Sequence, residues 1–475
     1  MKLGTTLKTV GLVAILGLTM SACGSGNNAT PTTTTTTAVP TSSAPVAPPS
    51  TATSTTAAPT TTSAAPGGID CGTAATALTM SGWSLSTTPE FQKLVDGFKT
   101  VCPQITITIK EYDPNTYEQL LLTDMTAKTA PDVIAIKQAK YTYQWATGGQ
   151  LMDLSDVVKG LSKDVTGAAS YTVNGKNYGV PYRQDSWLLF YNKALFDQAG
   201  VAIPDGTWTW DTYAATAKDL TTKLAAAGSQ AKGTYEHSWQ STLQGFANAQ
   251  AGDNMNPSGP YFSGDYSYMK PYYQRALDLQ TAGAQVPLGD ITTNKLTYQG
   301  QFGKQKTAMM LMGSWYIATL RSQQASGDAD AFTWGLAPAP QVDASTLASP
   351  VTFGDPTGMG INANLSSDKV PAAKAFMAYI ASEAAAKALA GIGITPSTAN
   401  DAVTAAVFAG AGMPTDALSK KAFQTHTTKP ENPSGEFVMQ MSTILGAAHT
   451  AIMTGSSPVD DALAQAGQKV KDKDW

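Results

Sequence analysis

The chain has 475 residues, of which 42% are apolar and only 14% charged, with 31 basic against 35 acidic side chains and a formal net charge of -4. Such a balance provides no basic face for nucleic acid. The first 68 residues aside, roughly 400 remain, enough for two packed domains with full cores.

Taken in chain order, Lys2 and Lys8 precede an apolar run, Val10 to Leu18, that is too short to span a bilayer and reads as a signal peptide over residues 1–22. Met20-Ser21-Ala22-Cys23-Gly24 then has the pattern of a bacterial lipobox, so cleavage is expected to leave Cys23 as a lipidated N-terminus holding the protein to a membrane. An ordinary secretory signal that happens to contain a cysteine is the alternative. Residues 23–68 are almost wholly Thr, Ser, Ala, Pro, Gly and Asn. They cannot bury a core and are expected to form a stalk reaching on the order of 100 Å, either bare or O-glycosylated.

The globular part opens with strand and helix signals in alternation. A strand is predicted at Leu78 to Ser81, and a helix beginning near Pro89, capped by Thr88, follows with Phe91, Leu94, Val95 and Phe98 on one face. Ile105 to Ile109 alternates as a β-branched strand, Asn115 to Thr129 reads as a helix, and Val133 to Ile136 as a third strand. This β-α-β-α-β order implies a parallel sheet covered by helices. Cys71 and Cys102 then fall at the N-terminal edge of adjacent strands, and in an oxidising compartment they are expected to pair; two free buried thiols would be the other outcome.

Further along, Val173 to Pro181 is a hairpin with Asn174-Gly175 at its turn, and Trp187 to Tyr191 a buried strand. Thr209 caps a helix beginning at Trp210-Asp211, and further helices are predicted at Tyr213 to Leu224 and Pro271 to Thr281. Thr307 to Met312 is a strand running into Gly313-Ser314-Trp315, and Val370 to Ala390 and Phe437 to Met453 read as single helices.

These segments resemble a known family. Its marks are Pro89-Glu90-Phe91, Ala130-Pro131-Asp132-Val133, Gly149-Gln150-Leu151-Met152-Asp153-Leu154, and Tyr178-Gly179-Val180-Pro181 with Leu189-Phe190-Tyr191-Asn192-Lys193. Trp208-Thr209-Trp210-Asp211, Ala308-Met309-Met310 leading to Trp315, and Gly358-Met359-Gly360-Ile361-Asn362 continue the pattern. In this order they are similar to the extracellular solute-binding proteins of ATP-driven (ABC) importers, in the carbohydrate branch that includes the maltose-binding proteins.

The resemblance implies an α/β fold of two discontinuous lobes with a ligand cleft between them. Residues 69–183 and 361–400 would form lobe 1, and 184–360 with 401–475 lobe 2. The crossings would lie near Pro181 to Ser186, Thr357 to Ile361 and Ser397 to Ala402. It also implies a sugar ligand, partner permease subunits with their ATPase, no cofactor and no metal; a monomer is expected.

Sugar capture needs aromatic faces and planar polar groups. Trp315 and Trp239 sit where the resembled family carries ring-stacking aromatics, and Trp83 follows the end of the first strand, with core packing as the alternative for each. Arg183 and Asp185 interrupt two apolar strands with charge, either to face ligand or as an interlobe ion pair. Glu111 and Gln138 follow the second and third strands and are either ligand contacts or solvated loop residues, and Asp355 is either a ligand contact or a turn former. An enzyme using Glu111 and Asp185 as a carboxylate pair is the rival function, but no Gly-x-Ser-x-Gly occurs and His237, His426 and His449 are scattered, which also disfavours metal capture. A non-sugar polar solute such as an amino acid or polyamine is the second alternative.

Overall fold

The structure is a computed structural model, and it describes residues 68–473 except 87, 254, 256, 257 and 434. The signal segment, Cys23 and nearly all of the stalk lie outside the described residues. Among those described, no helix is long and apolar enough to cross a membrane.

The chain begins with β1 (Thr76–Trp83), the helix Glu90–Val101, β2 (Ile105–Tyr112), the helix Tyr117–Thr126 and β3 (Val133–Ile136). β1 pairs in parallel with both β2 and β3, as the alternation of elements requires. The first helix buries Phe91, Leu94, Val95 and Phe98. Its cap differs from expectation: Thr88 contributes no side-chain cap, Pro89 occupies that position, and Glu90 behind it is fully buried. The hairpin β4 (Thr172–Val173) and β5 (Lys176–Asn177) turns on Asn174 and Gly175, both with positive φ, the backbone that a two-residue turn of this hand demands.

After β6 (Val180–Gln184) the chain leaves the first sheet through Asp185 and Ser186 and enters a second sheet as β7 (Trp187–Asn192), every residue of which is buried. That sheet is completed by β8 (Lys232–Tyr235), β9 (Thr307–Gly313) and β10 (Trp334–Ala337), in the order β10-β7-β9-β8. The intervening helix Trp210–Ala226 is capped by the Thr209 hydroxyl, which accepts from the Thr212 amide. A short strand, β11 (Val351–Phe353), precedes the return, and β12 (Pro356–Ile361) inserts antiparallel between β3 and β6, giving the first sheet the order β2-β1-β3-β12-β6. Late in the chain β13 (Thr427–Lys429) pairs with β11.

The return crossing therefore falls at Gly354 and Asp355, upstream of the expected Thr357 to Ile361, and 356–360 belong to the first sheet instead of the second lobe. Gly358 and Gly360 on this strand serve close packing. A Cβ on Gly358 would lie 2.7 Å from the Tyr171 ring, and one on Gly360 2.9 Å from the Tyr178 carbonyl oxygen. The helix expected over Val370 to Ala390 is two, Val370–Ile380 and Glu383–Gly391, because the Ser382 side chain accepts from Ala385 N and starts a new helix.

Two separate hydrophobic cores result. One gathers Leu78, Phe91, Phe98, Ile134, Trp145, Met359 and Phe376 around the first sheet, and the other Leu189, Phe190, Phe246, Met310, Tyr316 and Leu445 around the second. Cys71 and Cys102 are joined by a disulfide with their Cα atoms 5.5 Å apart, stapling the start of β1 to the end of the first helix. Closing a loop of 31 residues restricts the unfolded chain, so reduction is expected to cost about 3 kcal/mol. Urea denaturation with and without dithiothreitol measures it; coincident midpoints would show that the bridge contributes nothing.

Candidate ligand site

The two sheets meet at their crossings, and the charge that interrupts the apolar strands there is internally satisfied. Arg183 on β6 sends Nη1 to both oxygens of Glu90 at 2.7 and 2.8 Å, Nη2 to Thr357 Oγ1 at 2.9 Å, and pairs Nε with Asp185 Oδ2 at 2.7 Å. Glu90 also accepts from the Tyr182 hydroxyl at 2.6 Å, and Asp185 from Ser314 Oγ at 3.0 Å. Arg183, Asp185 and Glu90 are all buried. Burial opposes the charge on Arg183, but Asp185 and Glu90 outweigh it and hold the guanidinium above its ordinary range. Burial likewise pushes Asp185 up to about 6 against the pull of Arg183. This geometry is an ion cluster that ties the first helix, β6, β12 and the crossing together.

A second constellation stands at the C-terminal ends of the parallel pair β8 and β9, the edge at which α/β sheets present ligand sites. Trp315 follows β9 and folds back over it: a Cβ on Gly313 would lie 1.8 Å from its ring, so only glycine permits this placement. Its ring is half-buried, edge-on to Trp187 at 5.6 Å and 6.3 Å from Trp239. Trp239 is 39% exposed and meets His237 at 4.5 Å and Tyr298 at 5.6 Å. His237 is held by the Tyr235 hydroxyl at 2.9 Å, and burial lowers its pKa to about 4, so its ring is neutral at neutral pH. The fold thus brings Trp315 and Trp239 together and adds His237 and Tyr298. The spacing His237-Ser238-Trp239 after a strand was a usable signal for the histidine; nothing local marked Tyr298.

The other expected contacts are dispersed. Trp83 is only 6% exposed, packed against Phe91 at 4.7 Å and Tyr117 at 4.9 Å, with Lys137 Nζ 5.7 Å from its ring centroid. Glu111 is exposed and accepts from the Leu85 amide at 2.8 Å, fixing the turn after β1. Gln138 is half-buried and donates to Glu118 at 2.9 Å. Asp355, half-buried at the return crossing, accepts from the Glu431 amide at 2.8 Å.

Comparison with known proteins gives this arrangement a context. A binding protein of Brucella abortus is 28% identical over 135 residues, covering 28% of this chain and 32% of its own length. The arabinooligosaccharide-binding protein of Halalkalibacterium halodurans is 28% identical over 106 residues, 22% of this chain and 24% of that protein. The chain thus spans about a third or less of the curated relatives it matches. Among solved structures, a sugar transporter from Rhizobium etli in an open conformation is 27% identical, covers 83% of this chain and 99% of its own, and superimposes with a TM-score of 0.68. Residues 93–415 match the family described as bacterial extracellular solute-binding protein, and the chain, with its two lobes, belongs to that family.

Proposed function

We propose that this protein is a membrane-tethered extracellular receptor that captures a sugar, in the first instance an oligosaccharide, and delivers it to the permease subunits and ATPase of an ABC importer. The observation that carries the reading is the aromatic group Trp315, Trp239, His237 and Tyr298, which offers several ring faces at one strand edge to the apolar faces of sugar rings. The sugar-named relatives from Rhizobium etli and Halalkalibacterium halodurans support the same ligand class.

Lobe 1 is taken as 69–184 with 356–400 and lobe 2 as 187–353 with 401–473, a division supported by the two cores. Asp355, Gln138 and Glu111 remain candidate polar contacts on the faces between them. Cys23 serves as the lipid anchor, and the protein acts as a monomer that retains its ligand without cleaving it.

A thermal-shift screen of the full chain against mono- and oligosaccharides, amino acids and polyamines tests this. A ligand present at 100 times its Kd stabilises the folded state by about 2.7 kcal/mol, so a sugar is expected to raise the melting temperature and be recovered intact. A shift with an amino acid or polyamine alone would replace the sugar assignment, and consumption of the sugar would make the protein an enzyme.

A further inference from the structure

The residue before Trp315 holds more partners than the end of a strand requires. Ser314 is buried, and every polar group it carries is engaged. Its amide donates to the Ser186 carbonyl oxygen at 2.9 Å, and its own carbonyl accepts from the Ile317 amide at 3.1 Å, where the helix Tyr316–Ser326 begins. Its hydroxyl donates to Asp185 Oδ1 at 3.0 Å and accepts twice, from the Ser186 amide at 3.3 Å and from the Thr395 hydroxyl at 2.8 Å. One donor and two acceptor positions are all that a serine hydroxyl has, so its orientation is fixed by protein groups alone.

These partners come from both lobes. Thr395 is held by the first lobe. Its carbonyl accepts from the Gln184 amide at 3.1 Å, and two residues on, the Ser397 amide donates to the Tyr182 carbonyl at 3.1 Å and Ser397 Oγ to the Pro181 carbonyl at 2.9 Å, so this segment lies along β6. Ser314 directly follows β9 of the second lobe. The bond between the two hydroxyls therefore joins the lobes across 81 residues of sequence. Asp185 and Ser186 form the first crossing, and the return crossing is pressed against it, since a Cβ on Gly354 would lie 2.0 Å from the Asp185 carbonyl oxygen. Ser314 thus stands where the connections gather, one residue from the Trp315 ring.

We propose that Ser314 is a positioning residue for ligand capture: its hydroxyl registers the Trp315 ring against both lobes, through Asp185 at the crossing and Thr395 in the first lobe. This rests on Trp315 as a ring that meets the sugar. A stacking face serves a ligand held between two lobes only when its place is set relative to both. A hydrogen bond tolerates little displacement, so the bond to Thr395 transmits the place of the first lobe to the ring.

The test is fluorine NMR of the full chain labelled with fluorotryptophan and free of ligand, the Trp315 resonance being assigned among the nine tryptophans by Trp315→Phe. Thr395→Val, which keeps the shape of the side chain and removes its hydroxyl, is expected to move the Trp315 resonance and leave that of Trp145, in the first core, in place. Thr395→Ser restores the parent spectrum. Ser314→Ala should move the same resonance, and Thr395→Val added to it should move it no further, because the bond is already gone. Circular dichroism melts show which variants are folded; Thr395 is half-buried, so the test stands on it even where Ser314→Ala fails to fold. Glucose, maltotriose and arabinotriose are then added as probes. Thr395→Val is expected to lose about tenfold in sugar affinity, the order of one buried hydrogen bond. At a sugar concentration about 100 times the parent Kd this roughly halves the stabilisation by ligand, with Thr395→Ser close to the parent. An unmoved Trp315 resonance in Thr395→Val, or a sugar-induced rise in its melting temperature equal to that of the parent, overturns the proposal. Absence of a rise with any sugar in the parent overturns the sugar assignment, and the ligand-free spectra still decide whether Ser314 registers the ring.

Discussion

Arg183→Met is expected to destabilise the protein by about 3–5 kcal/mol at pH 8, the cost of leaving a buried charge without its partner. The guanidinium serves two carboxylates at once, and Glu90 and Asp185 have almost no access to water with which to replace it. Without Arg183 the Asp185 carboxyl, already held up by burial, loses the charge that pulls it down and can escape the penalty only by taking up a proton, so its pKa rises further in the folded state. A raised carboxyl pKa contributes stability at low pH that disappears as pH rises through the folded value. The deficit of Arg183→Met should therefore be smaller at pH 5 than at pH 8. Urea denaturation at both values checks the magnitude and the sign; equal midpoints for variant and parent at pH 8 would remove the ion cluster from any account of what holds the crossings together.

The second large effect concerns ligand. Trp315→Ala is expected to weaken sugar binding about 30-fold, corresponding to roughly 2 kcal/mol for loss of a central aromatic anchor. Trp239→Ala should cost less, because its ring is 39% exposed and stands at the rim of the group. Trp83→Ala should lower stability, through its contacts with Phe91 and Tyr117, with little effect on affinity in the remaining folded protein. Isothermal titration of the three variants separates these cases. Unchanged affinity in Trp315→Ala with lost affinity in Trp83→Ala would move the binding site to the first lobe.

The fold was more legible in the sequence than the site, for physical reasons. Apolar strands and one-sided helices between Thr76 and Ile136 report burial locally, so β1 to β3 and their helices can be located from the sequence, though their ends shift by two or three residues. The close packing that the glycines of β12 serve is not legible in the sequence, because it depends on Tyr171 and Tyr178 being in place. Ser382 is similar: a serine within an alanine-rich run starts a helix only once the backbone before it has turned. Arg183 was conspicuous, but its partner Glu90 lies 93 residues earlier, at the first turn of a helix where an acid is ordinary. Trp315 and Trp239 could be singled out because they sit where the resembled family carries ring-stacking aromatics, whereas Tyr298 reaches them from a short helix with no such marker.

The place of β12 governs the order in which this chain can acquire structure. Its neighbours β3 and β6 are complete by Gln184, yet the strand that must lie between them ends at Ile361, after the whole of the second sheet. Synthesised from its N-terminus, the first lobe waits with an open gap while β7, β8, β9 and β10 can already pair. The part of the protein made first is thus left incomplete until most of the chain has appeared. Its closure depends on distant partners and is correspondingly slow, which keeps an emerging chain loose until nearly three hundred residues past β1 have appeared, a useful property for any polypeptide that must be threaded elsewhere before it folds.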